Sequence, residues 1–455
     1  MSFKWLFFFF LTIPVLAAEV RLDCPGFVTS ALRQDPILAE TRFSTEIKKN
    51  KIDELKADAF LSRFEFNMLV GPAPGLKESV DDWGDTVDTW DFTRMGPFFG
   101  TQVRAVQPLN YGQYVSGKKA AQADLRQQEM NVLDKENKKN VELQTYYFNY
   151  LLALEMTRLV QDAKRQMDKA YDQLEEALDE DKPGVSQMDL LQLKSGMHVI
   201  EEGVIDAEIA LKQLQLATRF SLGLNESDTF FPLDTLLTVR SEALPSLEEA
   251  KLTAIGSHPE LKRLNAGLEA RSHQMDLAQA KLGPEFFIMG EFSYTKSWAG
   301  NRQAIQKNAF AQDAVNHISG AVGFGLRYRL NFWRTWESFR TARTEYRALR
   351  LTEKYASNGI LLRLEEQYLN TEAQLKKVES LRSSLRASES ILKGAAIQYD
   401  LDPSQTGPLV SAYRDNINLK KNYYYAVCKY NIAVAELIYR MGLSLEQFHS
   451  KYGSP

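Results

Sequence analysis

Two cysteines in 455 residues, Cys24 and Cys428, are too few and too far apart for a disulfide framework or a cysteine metal site. The five histidines, His198, His258, His273, His317 and His449, are scattered, and none stands in an HExxH or similar ligand spacing. Gly323-Phe324-Gly325 lacks the third glycine of a nucleotide loop and lies inside a strand pattern. No Ser or Cys nucleophile motif occurs. An enzyme is therefore not expected, nor a cofactor or bound metal. Neither charge sign dominates: the net charge is −4, which argues against a nucleic-acid partner. Beyond the first residues no apolar run reaches 18, so no helix is expected to cross a membrane. The chain is then either soluble or a membrane protein built from strands.

The start of the chain sets the compartment. Lys4 precedes an apolar run from Trp5 to Ala17, with a small-residue cleavage site at Ala17 or Ala18. Residues 1–18 read as a secretory signal peptide. Arg21-Leu22-Asp23 is not the apolar and small run that lipidation of Cys24 needs.

What the sequence does contain is a strand that feeds a long helix. From Ile318 to Leu330 the large residues Ile318, Val322, Phe324, Leu326 and Tyr328 alternate with Ser319, Ala321, Gly323, Gly325, Arg327 and Arg329. That period of two marks a strand with one apolar face and one small or cationic face. From Phe332 the period becomes helical and runs without proline to Gln398, about 100 Å at roughly 1.5 Å per residue.

The same unit occurs upstream. Asp35-Pro36 opens a helix to about residue 60. Phe64, Phe66, Met68 and Val70 mark a strand, and Gly71 to Gly100, rich in Gly, Pro, Asp and Trp, reads as a long loop. A second strand covers about 101–109, and a long helix runs from Tyr111 to Leu178. Its seam is Leu152, Met156, Leu159, Ala163, Met167, Ala170, Leu174 and Ala177, a heptad pattern with one stutter. The polar stretch 134–142 reads as a solvated helix face. Asp179 to Gly184 reverses the chain, and a return helix spans about 186–222. His258-Pro259 then restarts the pattern: a helix to Leu282, two strands, the long helix, a reversal at Asp400 to Pro403, and a final helix over about 409–441. Two tandem copies are thus expected, 19–224 and 254–443, with a connector at 225–253 and a tail at 444–455.

Each copy pairs one long helix with two short ones of nearly equal summed length. Four strands with one greasy face leave two unpaired edges, and in lipid only a closed barrel satisfies every backbone group. Four strands are too few to enclose a pore, so several chains must contribute. The fold class expected is mainly α with a small β part.

In these features the chain resembles the TolC-like outer-membrane factors. The resemblance rests on the duplicated helix starts Pro36-Ile37-Leu38 and Pro259-Glu260-Leu261. It rests also on the strand end Gln107-Pro108-Leu109 and on Leu222-Gly223-Leu224 closing the first half. It covers nearly the whole chain after the signal peptide. It implies a homotrimer whose α-helical barrel, or tunnel, continues a 12-stranded transmembrane β-barrel, four strands per chain, with an internal two-fold repeat. The function implied is a passive duct of an efflux pump or type I secretion system, in the outer membrane with a long periplasmic part. The implied partners are a periplasmic adaptor, an inner-membrane transporter and outer-membrane lipid.

The resemblance also suggests sites. Asp189 and Tyr399 match residues that help hold the family's tunnel shut, although the arginine that joins them has no counterpart. The positions of the family's acidic ring fall here near Pro408 and Ser411, so that ring is absent, and Asp415, four residues past Ser411 on the same face, is its candidate replacement. Adaptor docking is implied at the tips, Asp179, Asp181, Gly184, Val185, Asp400 and Asp402. Arg327 and Arg329 are expected in the barrel lumen, where they would bias ion passage. A different class, a periplasmic coiled-coil adaptor, fits the helices but not the alternating strands.

Overall fold

Asp35 caps the helix that follows it, as its chemistry suggests. Its carboxylate accepts the amides of Ile37 and Leu38 at 2.8 and 3.1 Å, leaving fewer orphan N–H groups at the helix start. The computed structural model describes residues 19–80, 82–84, 86–180, 185–241, 243–299, 316–328, 330–401 and 406–452. The expected signal peptide lies outside them. In chain order the elements are β1 (Glu19–Leu22), α1 (Cys24–Gln34), α2 (Pro36–Phe60), β2 (Arg63–Val80), β3 (Thr86–Pro108), α3 (Tyr111–Asp179) and α4 (Gln187–Ser221). There follow β4 (Thr229–Pro232), α5 (Leu247–Ser257), α6 (Pro259–Ala280), β5 (Glu285–Ser297), β6 (His317–Arg327), α7 (Phe332–Leu401), α8 (Thr406–Arg440) and α9 (Leu445–Tyr452). The chain is mostly helical, and α3 and α7 have 69 and 70 residues. No helix among the described residues is long and apolar enough to cross a membrane.

The long loop expected after the first strand is overturned. Gly71 to Gly100 is not a loop: β2 continues to Val80 and β3 begins at Thr86. The two strands stay paired to Val80↔Thr86, with a register shift between Pro74 and Gly75. The glycines and prolines suggested a loop, but β2 is an outer strand, and an outer strand tolerates proline because one row of its amides has no ladder partner. A left-handed Gly84, φ 81°, serves the tight turn.

The chain divides into two compact units, one of residues 1–43, 130–262 and 354–455, the other of residues 44–129 and 263–353. In the first, a core gathers Phe27 of α1, Leu143, Tyr147 and Tyr150 of α3, Phe230 of β4, Leu364 of α7, Tyr430 and Leu437 of α8, and Met441 just past that helix. β1 pairs with β4 in parallel at its side. Burial and an Asp234 carboxylate 2.6 Å from its hydroxyl hold the Tyr147 phenol protonated, far above its ordinary range. The supposedly solvated stretch at 134–142 also enters this unit. Asp134 is buried and accepts the Tyr439 hydroxyl at 3.1 Å, and Asn137 is buried too.

Helices α4 and α8 end alike. Gly223 and Gly442 take φ 59° and 72°, and the following amides, Leu224 and Leu443, bond back to Arg219 and Ile438. This is the Schellman closure, which needs a left-handed residue just past the helix.

At the start of α6, His258 does what Asp35 does for α2: its Nδ1 accepts the Glu260 amide at 3.2 Å. That role requires a lone pair on Nδ1, so the ring must be neutral. The ring is 1% exposed, and no partner meets Nε2 among the described residues. Burial lowers the pKa, and Arg440 and Arg363 add to this; Glu260 and Asp134 pull the other way. A folded-state pKa below the unfolded value of about 6.5 means this contribution is present above that pH and lost as pH falls through the folded value. Urea titrations at about pH 7.5 and pH 5.5 are expected to show lower stability at the acidic value. His258→Asn should lessen that difference, and an equal difference in the variant would remove His258 as the cause.

Candidate functional site

In the second unit β2, β3, β5 and β6 form one antiparallel sheet in that order, with β2 and β6 outermost. Directly paired residues in an antiparallel sheet point to the same side, so the registers fix the two faces. Phe66↔Val103↔Phe292↔Gly320 is one such row, and Ile288↔Phe324 and Tyr294↔Ile318 belong to the same side. That side carries Phe64, Phe66, Met68, Val70, Ile318, Val322, Phe324 and Leu326, each more than half exposed, with Val322 at 83%. A contiguous apolar surface of this size on a single chain calls for lipid or protein against it. Its span on β6, Ile318 to Leu326, matches the roughly 9–11 residues a strand needs to cross a bilayer.

The other side is polar. Glu291 sits opposite Arg104 and accepts its guanidinium at 2.9 and 3.1 Å and the Gln102 amide at 2.7 Å. Arg327 falls on this side, as its alternation suggests. Its guanidinium lies 5.2 Å from the centre of the Phe287 ring, and that ring lies over Gly325, where a β-carbon would meet it. Lys281, Glu285, Arg327 and Arg334 border a groove of about 570 Å³ at the foot of the sheet. Arg329 lies outside the described residues. The Arg104–Glu291 pair was not foreseen. Alternation alone puts each residue on the polar side, but their meeting depends on the β3–β5 register.

At the far ends of the long helices, in the first unit, Asp189 is committed to a capping box. Its carboxylate accepts the Ser186 amide at 3.1 Å and hydroxyl at 2.7 Å, while the Ser186 hydroxyl accepts the Asp189 amide. Val185 packs on a small apolar cluster of Met167, Leu174 and Leu193, which Val410 of α8 also joins. Asp179 is exposed at the end of α3. Tyr399 and Ser411 are half-buried, and Asp415 is exposed with its carboxylate 3.8 Å from Arg414 Nε. Asp400 lies in the last turn of α7. Asp181, Gly184 and Asp402 lie outside the described residues. No metal-holding group of three or more His, Cys, Asp or Glu occurs among the described residues, and neither cysteine is in a disulfide there.

Residues 253–401 match the family model described as outer membrane efflux protein. That stretch is similar to the outer membrane efflux protein domain. The domain ends with α7 at Leu401 and includes β5, β6 and hence half of the sheet. The fold of the chain is similar to that of the Neisseria gonorrhoeae MtrE outer membrane channel in the open state. There the TM-score is 0.73 at 15% identity, over 93% of this chain and 89% of that one. The Campylobacter jejuni CmeC outer membrane channel gives 0.71 at 12%, over 92% and 85%. VceC, an outer membrane protein of Vibrio cholerae, gives 0.69 at 12%, over 92% and 96%. At these identities the likeness is one of fold. No curated protein matches the chain in sequence.

Proposed function

We propose that the chain is one of three identical subunits of an outer-membrane export duct, serving a tripartite efflux pump or a type I secretion system. Three four-stranded sheets joined edge to edge make a 12-stranded barrel, and the long helices continue it as a periplasmic tunnel with an internal two-fold repeat. The observation that carries this reading is the sheet, with one side apolar and exposed, the other polar, and an outer strand at each edge. A closed barrel satisfies both edges and places the apolar side in lipid. A periplasmic coiled-coil adaptor would have no use for that surface.

The duct does no chemistry of its own. Cargo moves through a hydrated lumen in which Arg327 and Arg329 set part of the charge, and the energy comes from an inner-membrane transporter reached through an adaptor. The adaptor docks at the tips, 179–185 and 400–402. Native mass measured in detergent is expected to be that of a trimer recovered from outer membranes. A water-soluble monomer after removal of residues 1–18 would contradict the reading.

At the tip we place Asp189, Tyr399, Ser411 and Asp415 around the aperture. Asp189→Asn combined with Tyr399→Phe is expected to raise single-channel conductance several-fold without loss of trimer. Asn keeps one acceptor for the Ser186 cap, so the helix start survives. Unchanged conductance would retire both residues from gating.

A further inference from the structure

Four helices of the second unit repeat one small pattern, a carboxylate followed two residues later by a base. These are Glu46 and Lys48 on α2, Asp124 and Arg126 on α3, Glu269 and Arg271 on α6, and Glu345 and Arg347 on α7. Residues two apart on a helix lie about 200° apart around its axis, so they project to opposite flanks. Each helix can then hold one neighbour through its acid and the other through its base.

Three such links are formed. Lys48 binds Asp124 at 2.5 Å, Arg126 binds Glu269, and Arg271 binds Glu345 at 2.6 Å. They run α2 to α3 to α6 to α7, the order in which β2, β3, β5 and β6 lie in the sheet. All eight residues sit roughly two and a half to four turns from the helix end nearest the sheet, so the links form a belt. Each link runs in the same sense, base to the next helix's acid. One acid and one base are left over, Glu46 and Arg347. Both are exposed, and neither forms an ion pair among the described residues.

The leftover pair stands at the two edges. α2 leads into β2 and α7 follows β6, the two outer strands, and these run in opposite directions. Joining β6 of one copy to β2 of the next brings α7 alongside the next copy's α2, antiparallel. We propose that Arg347 of each copy pairs with Glu46 of the next, so that the belt closes into a ring of ion pairs through the whole assembly. This rests on the duct reading above.

The facing sequences agree beyond that one pair. In antiparallel helices, steps toward the sheet lower the number on α7 and raise it on α2. Seven residues from Arg347 stands Arg340, and seven residues from Glu46 stands Asp53, again base against acid. One heptad nearer the sheet are Trp333 and Phe60, 72% and 62% exposed, aromatic against aromatic. Among the described residues Arg340 and Asp53 pair within their own helices, with Glu337 and Lys56. Such exposed i,i+3 contacts are weak and readily exchanged.

The test is cross-linking of the full-length protein in detergent. With Glu46→Cys and Arg347→Cys in one chain, a short bismaleimide is expected to convert the monomer band on a denaturing gel into a covalently closed trimer. Lys48→Cys with Arg347→Cys serves as control, since Lys48 faces α3 of its own chain; the wild type controls for buried Cys24 and Cys428. A native trimer in which the 46/347 pair stays uncross-linked would overturn the ring and leave the duct standing. A wild type that is not oligomeric would overturn the duct itself. In a second arm, Arg347→Glu lowers the temperature at which the trimer dissociates, and adding Glu46→Arg restores it. Absence of that rescue would equally refute the pairing.

Discussion

Val322→Arg is expected to remove the protein from the outer membrane as a folded assembly. Val322 lies midway along the apolar side of β6, is 83% exposed, and faces only Gly290 across the β5–β6 ladder. A cation at the bilayer midplane costs about 2–4 kcal/mol per strand position, and a trimer bears it three times over. The contrast residue is its neighbour. Ala321 pairs with Glu291 on the polar side, where an added guanidinium meets water and a carboxylate, so Ala321→Arg should insert and assemble normally. Heat-modifiable mobility of the outer-membrane fraction reads both variants. Equal damage at 321 and 322 would show that the two sides are not lipid and lumen.

Phe230→Ala is expected to destabilise the first unit by about 3–5 kcal/mol, the usual cost of emptying an aromatic site in a closed core. Phe230 is 1% exposed and lies among the rings of Phe27, Tyr150 and Tyr147, at centroid distances of 5.0, 5.8 and 6.5 Å. Its carbonyl also accepts the Tyr150 hydroxyl at 3.1 Å. The neighbours are large and held by β1, α1 and α3, so the site has little freedom to collapse. Phe220→Ala, at a ring 87% exposed, should change stability little. Urea denaturation in detergent, followed by near-ultraviolet circular dichroism, compares the two. Similar midpoints would mean that the cluster does not hold the unit together.

Local periodicity made much of this architecture legible. Strands β5 and β6, the two long helices, the Asp35 cap and the residues on each side of β6 follow from spacing alone, because each is decided within a few residues. The α3 seam is likewise as its heptads suggest, with Leu152, Ala163, Met167, Leu174 and Ala177 buried. Apart from helix α1, what escaped depends on distant partners. The long β2–β3 hairpin reads as a loop from its glycines and prolines, because only the order of the sheet shows that β2 is an outer strand. Asp134 looked solvated until Tyr439 reached it from the other end of the chain. On α7 the apolar seam passes from Leu385 to Leu392 over Ser388. That residue is 7% exposed and accepts the Asn416 side chain at 3.3 Å, a polar contact that fixes the register of α7 against α8. Helix α1 was missed although Phe27, Val28 and Ala31 follow the helical period and Asp23 caps it through Gly26 at 3.0 Å. At the tip, alignment suggested Asp189 as a gate residue, whereas local chemistry gives its carboxylate to Ser186. Both roles are open to one side chain only if the cap breaks or shares when the aperture moves.

Copies of this chain are expected to enclose a water-filled pore across a membrane. Single-channel recording of the purified full-length protein in planar lipid bilayers tests it most directly. Discrete, uniform conductance steps that Val322→Arg abolishes and Ala321→Arg preserves are the result expected. Protein that remains in solution and gives no steps at any voltage would contradict a pore-forming assembly.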